Sequence, residues 1–188
     1  MAASAPSIAT IPNHHVVLPS SRPPSIEPLW YAAYTSANHE KRVAQQLRIR
    51  NVQHFLPLYT SVRQWKDRRV ALMLPLFPGY VFVRIALLDM LRVLQVPGVA
   101  RVVGFGGRPA ALPEEEIDAL RAALGRGLRA EPHPFLRSGR RARIKAGPLA
   151  GLEGILVRRK NRTRLVLSVE LIQRSVQVEI EQADLEPA

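Results

Sequence analysis

The chain has 188 residues, 47% of them apolar, with 27 Lys and Arg against 15 Asp and Glu and no cysteine. That length holds one ordinary domain or two small ones with enough apolar material for a core, and the lack of cysteine excludes disulfides, thiol nucleophiles and thiolate-held metal sites. A formal charge of +12 points to a polyanionic partner, nucleic acid or an acidic protein surface, ahead of a membrane, because no apolar run approaches the ~18 residues that a spanning helix needs.

Residues 1–28 are rich in Ala, Ser and Pro, carry no apolar period and have their first basic residue at Arg22. They are expected to form a disordered leader and lack the pattern of a secretory signal. Residues 29–126 mix periods. A strand is expected over 29–35, then a helix capped by Asn38 and running to Arg50 with Val43, Ala44 and Leu47 on its apolar face. A strand over 52–58 and a polar, basic stretch over 63–69 follow. Pro78-Gly79 turns the chain into a buried strand over 80–87, Asp89 opens a short helix to Leu94, and another strand covers 99–105. Pro113 and three glutamates start a last helix with Ile117, Leu120 and Leu124 on one face. The order predicts an α+β unit.

A break near residues 125–134, with Gly127, Pro132 and Pro134, predicts a linker over 127–135. Beyond it, short β-rich runs over 141–145, 154–159, 164–171 and 175–180 are closely spaced and without a helix, which favours a small barrel over 136–188.

Three features bear on function. Between residues 137 and 164 stand ten basic residues and one acid, Glu153, densest at Arg158, Arg159, Lys160, Arg162 and Arg164 around a hairpin turn expected at Asn161. Such a loop either neutralises phosphates with little sequence preference or serves as a solvated turn that discourages edge pairing. The run Pro75-Leu76-Phe77-Pro78-Gly79-Tyr80-Val81-Phe82-Val83 is the strongest local signal. Its alternating aromatics, with Tyr34 on the first strand, form either core or an apolar depression that receives a partner helix. The cluster Glu114, Glu115, Glu116 and Asp118 is accounted for by a helix N-terminus, and the sequence carries no nucleophile elbow, metal-ligand spacing or phosphate loop, so neither catalysis nor a cofactor is expected.

Together these segments resemble the NusG family of transcription factors. The resemblance rests on Trp30-Tyr31-Ala32-Ala33-Tyr34, Leu76-Phe77-Pro78-Gly79-Tyr80-Val81-Phe82-Val83, Pro97-Gly98-Val99 and Pro113, and on 142–157, which resembles a KOW domain. It implies an N-terminal antiparallel sheet packed with helices, followed by an SH3-like KOW barrel. It further implies a binder of RNA polymerase rather than a catalyst. The docking depression would be lined by Tyr34, Tyr80 and Phe82, with Phe77 and Pro78 shaping its edge. Arg42, and more weakly Arg48, would face upstream or non-template DNA. In the barrel, Ile172 and Arg174 fall in the loop by which family members engage Rho or a small-subunit ribosomal protein, where an aromatic and a glycine are usual at 172 and 173. Leu76-Phe77-Pro78 and Phe82 lean toward the family's specialised, RfaH-like branch, although that branch's polymerase contact reads Asp89-Met90-Leu91 here. A cytoplasmic monomer without membrane contact is expected. The alternative is a ribosome-associated RNA-binding KOW protein, which accounts for barrel and charge but leaves the aromatic strand unexplained.

Overall fold

The computed structural model describes residues 26–125, 129–136, 139–146, 150–159, 162–180 and 184–188, with the backbone alone at Arg158, Arg159 and Arg162. Most of the expected leader, Lys160 and Asn161 lie outside the described residues.

The first sheet is antiparallel, in the order β2 (Gln53–Phe55), β5 (Tyr80–Ile85), β1 (Leu29–Thr35), β6 (Val99–Val102). Strand alternation gives it two faces. Tyr31, Ala33, Val81 and Val83 pack on one side against α1 (Glu40–Ile49) and α2 (Met90–Leu94), through Val43, Leu47, Met90 and Val93. Trp30, Ala32 and Phe82 point to the other side, toward Ile117, Leu120 and Ala123 of α3 (Glu114–Gly125).

Several boundaries differ from expectation for local reasons. Asn38 has φ +62°, a left-handed conformation unlike the extended one of a capping residue, so α1 starts after His39 and Asn38 caps nothing. The strand expected over 52–58 stops at Phe55, because Pro57 disrupts pairing, and Leu58 already belongs to the next element. The basic stretch is a hairpin, β3 (Leu58–Trp65) paired with β4 (Arg68–Pro75) as a separate two-stranded sheet. The strand expected over 99–105 breaks after Val102, and its end joins a small hairpin of β7 (Gly104–Phe105) and β8 (Arg108–Pro109), turned by Gly106 and Gly107 at φ +56° and +76°.

The second unit is a six-stranded antiparallel sheet, in the order β14 (Leu185–Pro187), β10 (Arg141–Ile144), β11 (Glu153–Arg159), β12 (Arg162–Val169), β13 (Arg174–Ile180), β9 (Ala130–His133). Ala142, Ile144, Leu165, Leu167, Val169, Val176 and Val178 form its core. Strand β9 falls within the stretch expected as a linker, yet it pairs with β13 from Ser175↔His133 to Val178↔Ala130. At Gly154 a Cβ would lie 2.6 Å from the Val166 carbonyl oxygen, so only glycine lets β11 approach β12 there. No described helix is long and apolar enough to cross a membrane.

Candidate docking surface

The α3 side of the first sheet is covered unevenly. At the Trp30 end, α3 lies close. Arg84 pairs with Glu114 at 3.3 Å, and the Arg121 guanidinium sits 4.4 Å from the Trp30 ring centre and 5.3 Å from that of Phe55. At the other end, register sets Tyr34 of β1 directly opposite Tyr80 of β5. Their ring centres are 5.4 Å apart at 59°, a tilted aromatic pair. Arg101 of β6 pairs with Tyr34 on its other side, its guanidinium 5.0 Å from the ring centre. Tyr34 is 37% exposed and Tyr80 half-buried. The result is an aromatic, cation-edged patch on three adjacent strands.

The turn before β5 holds this patch in shape. Gly79 has φ +84°, and a Cβ there would stand 3.2 Å from Tyr34 Cε2, so the turn demands glycine both for its backbone and for the ring above it. The Gly79 N–H donates to Oε1 of buried Glu40 at 2.7 Å, and Gly79 O accepts from the Thr35 N–H at 2.8 Å. A charge-assisted bond of this kind contributes about 1.5–3 kcal/mol and ties the start of α1 to the tyrosines.

Of the five residues expected at the docking depression, the structure brings three to the surface: Tyr34, Tyr80 and Pro78. Phe82 and Phe77 are core residues, 0% and 1% exposed. Phe82 shares the face of Tyr80, but two residues along the strand it lies beneath α3 and against Phe77 (5.6 Å, edge-on) and Phe55 (6.2 Å, stacked). These rings therefore floor the patch rather than line it. Arg101 was missed because nothing in a short strand's sequence says which tyrosine its side chain will meet.

Arg42 and Arg48 are both exposed on α1. Six residues apart on a helix, they project about 120° from one another, so they do not form one stripe; Lys41 is Arg48's neighbour two turns back. In the second unit the basic cluster is partly tied down, Arg143 pairing with Glu153, and Arg164 lying 3.7 Å from Glu131 of β9. Arg159 stands opposite Arg162 where β11 meets β12. The loop expected to meet a second partner is a 3-10 turn, Glu170–Ile172, followed by Gln173 at φ +49°. That left-handed backbone is one that glycine adopts more readily than glutamine. Arg174 is exposed, whereas Ile172 is only 7% exposed and packs into the β core, which removes its side chain from the surface.

This turn abuts α3. Burial pushes the Glu116 carboxyl up to about 7; the Glu170 N–H donating to it opposes the rise, and the charges of Glu170 and Glu115 add to it. Its Oε2 is buried without a partner among the described residues. Away from this contact the same carboxyl would titrate near 4.5, so the docked state binds the proton more tightly. The contribution of Glu116 to the stability of this contact is thus full below pH ~4.5 and falls away as pH rises toward about 7. Thermal melts over pH 4.5–7.5 should show this decline, and Glu116→Gln should flatten it.

The family model described as "Transcription termination factor nusG" matches residues 28–121, half of the chain. The chain belongs to the NusG family. Among its curated relatives, each named "Transcription termination/antitermination protein NusG", that of Borreliella burgdorferi is 25% identical over 81% of this chain and 94% of its own length. The Halalkalibacterium halodurans protein is 25% identical over 86% and 99%. A solved structure of Thermotoga maritima NusG overlays with a TM-score of 0.52 at 20% identity, covering 86% of this chain and 97% of that one, a likeness of fold. The NusG fold agrees with the expected α+β unit followed by a β-rich unit, and the ribosomal alternative is not favoured. Among the described residues no cluster of His, Asp or Glu has the arrangement of a metal site.

Proposed function

We propose that this NusG-family chain is a transcription elongation regulator that docks on the clamp helices of RNA polymerase through Tyr34 and Tyr80 and modulates pausing, termination or antitermination at selected operons. The observation that carries the reading is the partly exposed tyrosine pair, fixed in register on a rigid sheet and clasped by Glu40 and Gly79. Interface anchors are of this kind, large, amphipathic and pre-ordered. Arg101 adds a cation at the rim, and buried Phe77 and Phe82 support the floor. A factor that prefers the elongating state of its partner shifts that state's population by the difference in affinity and needs no chemistry of its own. Arg42 and Arg48, exposed on α1, supply cations toward upstream or non-template DNA, and exposed Arg174 marks the barrel face offered to Rho or a small-subunit ribosomal protein.

Immobilised core RNA polymerase should retain the purified protein, and the protein should change read-through at a pause or terminator in a reconstituted reaction. Absence of both effects removes the reading. Restriction to selected operons would appear as transcript changes confined to a few loci after deletion; a genome-wide change would mark a general factor instead.

A further inference from the structure

A groove between the two units is bordered by two unpaired strand edges, and we propose that it binds an extended, acid-flanked segment of a partner protein as an added β-strand. Residues 58–62 of β3 and 129–132 of β9 line this space together with Met73 and Leu124, and it measures about 970 Å³. Consecutive residues of both strands border it, so their edges, and not one face alone, reach the groove. Neither edge pairs with another described strand. Residues 58–62 carry neither a charge nor a proline, the usual guards of a free edge.

Hydrogen-bond alternation fixes what these edges offer. The Leu76 N–H donates to Pro57 O, so residues 57, 59 and 61 face β4, and the backbone N–H and C=O of Leu58, Thr60 and Val62 turn outward. The Glu179 N–H donates to Arg129 O, so Arg129 and Glu131 face β13, and the Ala130 N–H and C=O and the Pro132 C=O turn outward. An extended peptide supplies the matching donors and acceptors.

Cross-strand partners share a face. Leu58 with Pro75, Thr60 with Met73 and Val62 with Ala71 make one side of the ribbon apolar apart from Thr60, whose Oγ1 donates to Met73 Sδ at 3.2 Å. Val62 is 64% and Met73 47% exposed. A strand added beside β3 sets every second side chain against them, which selects alternating apolar residues.

Charge selects the flanks. Beyond Val62 the arm carries Arg63, Lys66, Arg68 and Arg69 against Asp67, and none of these cations is ion-paired with a described acid. The acid that lines the groove, Glu131, is already engaged, its Oε1 accepting from Arg129 at 3.1 Å and its Oε2 from Gln177 at 3.2 Å. Acidic residues at the end of an incoming segment therefore meet unpaired cations on the arm.

The test titrates the full-length protein into the fluorescent peptide Glu-Glu-Val-Thr-Val-Thr-Val-Thr-Glu-Glu, a copy with its central amides N-methylated, and a copy with Lys for every Glu. The first should bind saturably. The N-methylated copy, which cannot donate to a strand edge, should bind at least about tenfold more weakly, and the Lys copy should also be weaker. Val62→Glu with Met73→Glu should weaken the first peptide at least about tenfold, with thermal melts like those of the wild type because both side chains are exposed. Thr60→Pro, which removes one outward donor, should weaken it about fivefold, and Thr60→Val should not. Hydrogen exchange at the Thr60 and Ala130 amides should slow on binding. No saturable binding, equal affinity for the N-methylated copy, unchanged affinity in the double glutamate variant, or no slowing at either amide overturns the proposal. A doubled mass in sedimentation without peptide also overturns it, by giving the groove to a second copy. Retention on core polymerase is read separately through Tyr34 and Tyr80, so failure here leaves the docking reading intact.

Discussion

Replacing Tyr34 and Tyr80 together with alanine is expected to lower affinity for core RNA polymerase by about thirtyfold or more. That is the ~2 kcal/mol loss typical of a central interface anchor. The rings form a tilted pair at 5.4 Å and one is over a third exposed, so their removal takes away contact area at the margin of the core, against which Tyr80 packs. The lost pair interaction should reduce stability by only about 1 kcal/mol. Binding is checked by competition against labelled wild type, and folding by a urea melt of the same preparation. Unchanged affinity in a folded double variant would move the docking site elsewhere.

Phe82→Ala should do the opposite, destabilising the protein by about 3–5 kcal/mol. The side chain is fully buried between Phe77 and Phe55, so its truncation leaves a cavity against a total stability of about 5–15 kcal/mol. Any loss of polymerase binding by this variant then follows from unfolding. Phe82→Leu, which keeps most of the volume, should remain folded and bind polymerase almost as the wild type does. A folded Phe82→Leu protein with binding as poor as that of the Tyr34/Tyr80 variant would show that Phe82 itself reaches the partner.

Where one face of an element is buried, its pattern could be read directly. The first strand carries Trp30 to Ala33 without a break, and α1 and α3 repeat apolar residues at helical spacing. The hairpin of β3 and β4 left no such trace, because polar and apolar residues occur on both of its sides and little of it is buried. Strand β9 was hidden by Pro132, which reads as a breaker but sits at a sheet edge, where a missing N–H costs nothing. The candidate site divides the same way. Tyr34 and Tyr80 were visible as alternating aromatics, while the burial of Phe82 depends on where α3 lands, and the Arg101 contact on the pairing of β6 with β1, which sets Arg101 opposite Tyr34.

Strand β9 also sets how far the two globular halves can part. Between Gly125, the end of α3, and Ala130 lie four residues, 126–129, a tether of about 17 Å at full stretch. Peeling β9 from β13 lengthens the tether to residues 126–135, about 36 Å at full stretch, as far as Leu136, which Ser168 and Ser175 hold. Four cross-strand pairs thus work as a reel, keeping the halves close until they are unwound.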